Sequence, residues 1–138
     1  MIHDFRINSH GYPGSFEGLE EKNIRKWDRI LKRMKFLFRE ANEDTCRKKN
    51  PYEEEYNLAQ ETFEAKYGMF GEKLKTEEDL AREKWEHKHR LYMMNDVPEY
   101  AEISKKWLAA EGELREYRDR RLKQGMVLMT KYFRNLWD

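Results

Sequence analysis

The sequence predicts an all-α protein: a helical bundle with a long C-terminal helix and an irregular N-terminal arm. Apolar residues recur at three- and four-residue steps in two long stretches, one near each end of the chain. Proline and acidic residues stand where helices would begin. Charged residues make up 40% of the chain, yet the formal net charge is only +1, which is typical of solvated helix faces. For 138 residues we expect a single helical domain over positions 1–138.

The N-terminal part is predicted as an arm followed by a helix. Residues 1–15 form the arm, because the stretch from Asn8 to Ser15 is rich in glycine, proline and short polar side chains. The first helix begins near Ser15 or Glu17 and ends near Ala41. Its predicted buried face, with flanking positions included, is Ile24, Trp27, Ile30, Leu31, Met34, Leu37, Phe38 and Ala41.

The opposite face of the first helix is basic. Between positions 22 and 49 the chain has eleven basic and four acidic residues. A second helix follows, with Asn50 as its cap, Pro51 in the first turn and Glu53 as the reciprocal capping residue. Residues 50–65 contain five glutamates and no basic residue. The basic face therefore has two interpretations: it pairs with the acidic second helix, or it contacts an anionic partner outside the chain.

The next segment, residues 68–95, is predicted to be peripheral and partly mobile. Gly68 and Gly71 end the second helix, whose predicted stripe is Tyr52, Tyr56, Ala59, Phe63 and Tyr67. Thr76 and the acidic residues after it can cap a short helix that ends near His89. The strongly apolar residues of that helix are only Leu80, Ala81 and Trp85.

The long helix is predicted over residues 97–137. Asp96 caps it and Pro98 occupies its first turn. A helix of this length either protrudes or bends, and Gly112 and Gly125 are the candidate bends. Its apolar stripe contains one five-residue step and consists of Tyr100, Ile103, Trp107, Ala110, Leu114, Tyr117, Leu122, Met126, Met129, Phe133 and Leu136.

Composition and motifs argue against catalysis, metal binding and membrane insertion. The single cysteine, Cys46, excludes an intramolecular disulfide and fits a reducing compartment. No apolar run is long enough to cross a membrane. The chain has no glycine-rich phosphate loop, and His87 and His89 would lie on different faces of a helix. We therefore expect a soluble, cytoplasmic, non-enzymatic protein with no cofactor and no metal.

The predicted partner-binding surface combines the basic face of the first helix with an arginine-rich part of the long helix. Arginine and tyrosine together are enriched at the centres of protein interfaces, and they also bind nucleotide phosphates. Arg121 falls near the apolar stripe, so it is interpreted either as a semi-buried polar site or as a snorkelling side chain. The predicted contact residues are Arg25, Arg29, Lys32, Arg33, Arg115, Tyr117, Arg118 and Arg121.

Sequence patterns near both ends of the chain are similar to those of a group of known proteins. Residues 131–138 read Lys-Tyr-Phe-Arg-Asn-Leu-Trp-Asp, residues 11–13 read Gly-Tyr-Pro, and a Trp-Asp-x-Ile-Leu-x-x-Met-x-x-x-Phe pattern begins at Trp27. In these features the sequence resembles small uncharacterised proteins of bacteriophages and prophages. The resemblance does not cover residues 68–95. It implies a phage or mobile-element origin, and it assigns no activity and no site residue.

Phage origin favours a protein that binds a host component. The first hypothesis is an interaction protein that inhibits a bacterial defence system, as an anti-CRISPR-type inhibitor of an effector nuclease or its nucleoprotein complex. The second is an oligomeric sponge that sequesters a nucleotide immune signal. The third is a virion or DNA-handling accessory protein. The expected partner is thus a host protein, with a homo-oligomer left open, nucleic acid only as an alternative, and no membrane.

Overall fold

The computed structural model describes Phe16 and residues 18–136. Within them the chain is all-α and has no strand, which confirms the predicted class of a helical bundle with a long C-terminal helix. The predicted arm over residues 1–15 lies outside the described residues. The α-helices are α1, Glu20–Ala41; α2, Glu53–Tyr67; α3, Glu77–Glu86; and α4, Pro98–Tyr132. Short 3-10 helices span Glu72–Leu74, Met94–Asp96 and Phe133–Leu136.

The chain divides into two compact units. Unit A contains the described residues up to Lys48 and from Arg115 onward, and unit B is Lys49–Leu114. Helix α4 contributes its first part to unit B and its last part to unit A. The single domain over residues 1–138 stays a prediction.

Unit A is built on an aromatic and aliphatic core between α1 and the end of the chain. Trp27 packs edge-on against Tyr132, with ring centroids 5.5 Å apart. Ile24 was predicted to be buried but is 47% exposed. The position one turn before Trp27 is instead taken by buried Asn23, whose side-chain amide donates to the Gly18 carbonyl at 3.5 Å. The buried core residues are Trp27, Leu31, Met34, Tyr132 and Leu136.

Helix α1 begins later than predicted, and α3 ends earlier. Gly18 has φ +102°, a conformation that is incompatible with a right-handed helix, so α1 begins only at Glu20. At the other helix, His87 has φ 53° and its backbone N–H donates to the Glu83 carbonyl, which ends α3 at Glu86.

The predicted stripe of α4 is correct up to Tyr117 and again at Met129 and Leu136, but it is wrong at Leu122, Met126 and Phe133. Leu122, Met126 and Phe133 are 44%, 48% and 51% exposed. After Leu114 the buried or half-buried positions continue without a five-residue step, and arginine and glycine occupy several of them. One such series at three- and four-residue steps is Arg118, Arg121, Gly125, Leu128 and Tyr132. The apolar pattern leaves out arginine and glycine. The predicted stripe therefore contains a five-residue step that is not present in the buried face of the helix.

The two glycines of α4 provide a matched pair of substitutions, because the helix continues through both. A Cβ at Gly125 would lie 3.2 Å from the ring of Phe38, whereas a Cβ at Gly112 would meet nothing within 4 Å. We expect Gly112→Leu to raise the free energy of unfolding by about 0.5–1 kcal/mol, since glycine is a poor helix residue. Gly125→Leu should lower it by about 1–3 kcal/mol through overpacking. Urea unfolding measures both, and equal shifts for the two variants would contradict this packing.

Unit B confirms the predicted stripe of α2. The ring of Tyr56 stacks on Trp107 at 4.2 Å, and Phe63 meets Tyr100 edge-on at 5.7 Å. Buried Phe63, Met94, Tyr100 and Ile103 form its core, and the partly buried residues around them include Tyr52, Tyr56, Ala59 and Tyr67.

Asn50 and Asp96 were predicted to cap the N-termini of α2 and α4, but their side chains bond to backbone N–H groups in the turns before those helices. Asn50 Oδ1 accepts the backbone N–H of Tyr52 at 2.9 Å, and α2 begins only at Glu53. The Asp96 carboxylate accepts the N–H of Met93 at 2.8 Å. In both cases the short polar side chain bonds a near neighbour before the helix starts, which is a common competitor of capping. The cap predicted at Thr76 is confirmed by its reciprocal bonds with Asp79.

Asp79 also fixes the extended stretch after α3, because its carboxylate accepts the Tyr92 hydroxyl. This bond, followed by the Thr76 backbone N–H, lowers the pKa of Asp79 from 3.8 to about 2. The unfolded chain therefore binds this proton at a higher pH than the folded chain does. The resulting stabilisation is present above about pH 4 and is lost as the pH falls through about 2.

We expect Asp79→Asn to flatten the decline of unfolding free energy between about pH 4 and about pH 2. Asp119→Asn, which changes an exposed aspartate of α4, serves as the control and should leave the decline unchanged. Urea unfolding at stepped pH measures the difference. If Asp79→Asn followed the wild-type acid profile, the bond to Tyr92 would contribute nothing.

Candidate functional site

Cations and aromatic rings gather on unit A, where α1, the loop after it and residues 117–121 of α4 meet. We call this group the basic-aromatic cluster. Its members are Arg33, Phe36, Glu40, Arg47, Lys48, Tyr117 and Arg121.

The ring of Phe36 is the centre of one half of the cluster. Arg33 and Arg47 hold their guanidinium carbons 5.3 Å and 5.6 Å from the ring centroid. Arg121 approaches the same ring at 6.0 Å. Distances of this size permit cation-π attraction, and a guanidinium can use its N–H donors for a carboxylate or phosphate while its plane rests on a ring.

Tyr117 is the centre of the other half. Lys48 Nζ lies 4.3 Å from its ring centroid, and the Arg121 guanidinium lies 4.9 Å from it. Arg121 therefore joins the two halves, since it contacts both rings. Its Nη1 donates to Gln124 Oε1 at 3.0 Å, whereas its Nε is buried and has no hydrogen-bond partner among the described residues.

Glu40 is the buried acidic member of the cluster and is 2% exposed. Its carboxylate accepts the Tyr117 hydroxyl at 3.2 Å, the Arg47 backbone N–H at 3.2 Å and the Cys46 thiol at 3.4 Å. The Arg47 Nε is 3.6 Å away. Burial raises the pKa of Glu40, but the bonds from Arg47, Cys46 and Tyr117 and the Arg47 charge outweigh burial, so the net pKa lies below its ordinary value. The carboxylate is thus ionised at neutral pH.

The bonds to Glu40 have a structural consequence for the surface above it. They tie the loop residues Cys46 and Arg47 to α1, and they tie Tyr117 of α4 to the same point. Glu40 is the one acidic group of the cluster, and its carboxylate already accepts hydrogen bonds from these donors within the protein. The outward charge of the cluster is therefore positive, and Tyr117 is held in place before any partner arrives.

The structure brings three of the predicted contact residues together in the cluster: Arg33, Tyr117 and Arg121. Arg25 and Lys32 instead form ion pairs one turn back on α1, Arg25 with Glu21 and Lys32 with Asp28 at 2.7 Å. The remaining residues lie outside the cluster, with Arg29 and Arg115 exposed and Arg118 half-buried.

A surface cavity of about 260 Å³ adjoins the cluster. Phe36 provides its aromatic wall, and Glu40 is the only acidic residue among the described residues that line it. The other lining residues are Lys32, Lys35, Arg39, Thr45 and Arg47. The lining therefore carries more positive than negative charge.

Sequence reasoning missed Phe36, Glu40, Arg47 and Lys48 as site residues. Phe36 lies off the apolar stripe, and the contacts of Arg47 and Lys48 depend on how the loop after α1 folds back. Glu40 carried a usable signal, because it is one of only two acidic residues between positions 22 and 41. A rare acid in a basic stretch of helix is a reasonable candidate for a buried anchor.

Comparisons with known proteins assign no family to this chain. No protein-family model matches it, and no curated protein or solved structure is significantly similar to it. In the part of the chain that the structure describes, no three His, Cys, Asp or Glu side chains are grouped to hold a metal ion. No helix in that part is long and apolar enough to cross a membrane.

Proposed function

We propose that this chain is a phage-encoded, non-catalytic interaction protein that binds an acidic surface of a host protein and inhibits it. The host protein belongs to a bacterial defence system, as an effector nuclease does. The observation that carries the proposal is the basic-aromatic cluster, in which four cations surround two rings and a buried carboxylate holds one of them, Tyr117, by its hydroxyl.

The chemistry of the cluster supports a protein partner. Arginine and tyrosine contribute most to binding energy at the centres of interfaces, and their side chains lose little entropy when they are already ordered. Arg121 and Tyr117 meet both conditions, because each is half-buried and held by neighbours. An acidic patch on the partner would complement the positive outward charge.

The phage and host parts of the proposal rest on a different observation. They come from the resemblance of residues 131–138, residues 11–13 and the pattern beginning at Trp27 to phage and prophage proteins. The location is the cytoplasm of the infected cell, where such a target would be found.

Quantitative affinity capture from a bacterial lysate tests the proposal. The site variant is Arg33→Glu/Lys48→Glu, which reverses two exposed cations of the cluster. Its control is Lys84→Glu/Lys105→Glu, which makes the same charge change at exposed positions of unit B. The expected result is a host protein retained by the wild type and by the control but lost with the site variant. Identical captured proteins for all three would contradict the proposal.

The cavity favours a second candidate function, the sequestration of a nucleotide signal. A phosphate group fits its lining of Lys32, Arg39 and Arg47, and a base could stack on Phe36. A cyclic dinucleotide at about 100 times its Kd would stabilise the fold by about 2.7 kcal/mol. Thermal unfolding with cyclic and linear nucleotides measures this effect. The absence of any shift at millimolar nucleotide would exclude this candidate.

A further inference from the structure

A second surface of unit A carries apolar side chains that face solvent. Leu122 and Met126 are 44% and 48% exposed, and half-buried Met129 continues the same face of α4. The steps of four and three residues place these side chains above one another on the helix. A row of large apolar side chains on a solvent-exposed surface indicates an interaction site more often than single exposed apolar side chains do.

This face ends in a cavity with a volume of about 510 Å³. Met126, Met129 and Phe133 supply its apolar walls, and Lys131 and Arg134 supply its charges. None of the described residues that line it is acidic. Methionine side chains adapt to different partner shapes, so this groove can accept branched or aromatic side chains.

The charges around the groove indicate what kind of segment it binds. Lys123 lies one turn from Met126 on the exposed surface, and Lys131 and Arg134 line the groove itself. An acidic segment would pair with these cations while its apolar side chains enter the groove.

We propose that this groove binds an amphipathic helical segment of a protein partner, with apolar anchors at three- and four-residue steps and acidic residues beside them. This inference is independent of the basic-aromatic cluster. Met126 lies on an exposed face of α4, and Glu40 and Phe36 are not among the lining residues of the groove. The two surfaces can therefore be disabled separately.

Three designed, fluorescently labelled peptides test the groove by anisotropy. The first is an acidic amphipathic helix with Leu, Met and Phe anchors, the second has lysine in place of every glutamate, and the third has the anchors in scrambled order. We expect the acidic peptide to bind about tenfold more tightly than either of the others. Equal binding of the acidic and basic peptides would overturn the proposal.

The protein variants provide the second half of the test. Met126→Glu should weaken binding of the acidic peptide about tenfold, because it places a like charge on an exposed wall of the groove. Leu58→Glu alters a 65% exposed leucine of unit B and should leave the binding unchanged. An unaffected Met126→Glu variant would overturn the proposal. A dimer in sedimentation, or binding to anionic vesicles, that Met126→Glu abolishes would assign the groove to another occupant and would also overturn it.

Discussion

Glu40→Ala is expected to lower the free energy of unfolding by about 3 kcal/mol. The substitution removes the acceptor of the Tyr117 hydroxyl, the Arg47 backbone N–H and the Cys46 thiol. Each buried donor that loses its partner costs about 1–3 kcal/mol, and the backbone N–H and the hydroxyl are the more costly of the three. Urea unfolding followed by circular dichroism measures the change.

Two further substitutions separate the buried carboxylate from the exposed charge that it faces. Arg47→Ala should cost less than about 1 kcal/mol, because the side chain of Arg47 is 82% exposed and its backbone N–H is retained. Glu40→Gln keeps an acceptor in the same place and should fall between the two. If Arg47→Ala destabilised the protein as much as Glu40→Ala, the ion pair rather than the hydrogen bonds would hold the loop.

Arg33→Glu/Lys48→Glu is expected to weaken binding to the captured host protein by about 100-fold or more. Arg33 lies on Phe36 and Lys48 lies on Tyr117, so the two reversals reach both halves of the cluster. Each replaces an attractive contact to an acidic partner with a repulsive one. Isothermal titration of the purified partner gives the dissociation constants.

Two controls test this prediction: a double variant with the same change in net charge, and the salt dependence of the binding constant. Lys84→Glu/Lys105→Glu changes the net charge equally but should weaken binding by less than about threefold, because only the long-range field is altered. A protein partner should also give a shallower dependence of log K on log salt than a nucleic acid does. A steep slope together with equal losses in both double variants would indicate phosphate binding by the general charge of the chain.

The class of the fold could be predicted because helix periodicity and start signals are local properties. The α2 stripe and the start of α4 at Pro98 follow from residues within a few positions of one another. The start of α2 could not be predicted in the same way. Asn50 has two roles, because its Oδ1 accepts the Tyr52 N–H while its amide donates to the Trp107 carbonyl at 3.1 Å, fifty-seven residues away.

The candidate site was only partly predictable, for a related reason. Arg121 was noticed because it stands near the stripe of α4, and it is indeed half-buried. The burial of Arg118 and Gly125 on the same face was not recognised, since polar and glycine positions do not register as core. The role of Glu40 depends on donors from Arg47 and Tyr117, and no local pattern connects those residues.

Hydrogen exchange measured by mass spectrometry, with and without the captured host protein, tests the central claim most directly. That claim is that the basic-aromatic cluster is the surface that binds the partner. The prediction is slower exchange in peptides covering residues 42–48 and 115–123, which is absent when Arg33→Glu/Lys48→Glu replaces the wild type. Protection confined to unit B, or protection of the cluster that survives the double substitution, would contradict the claim.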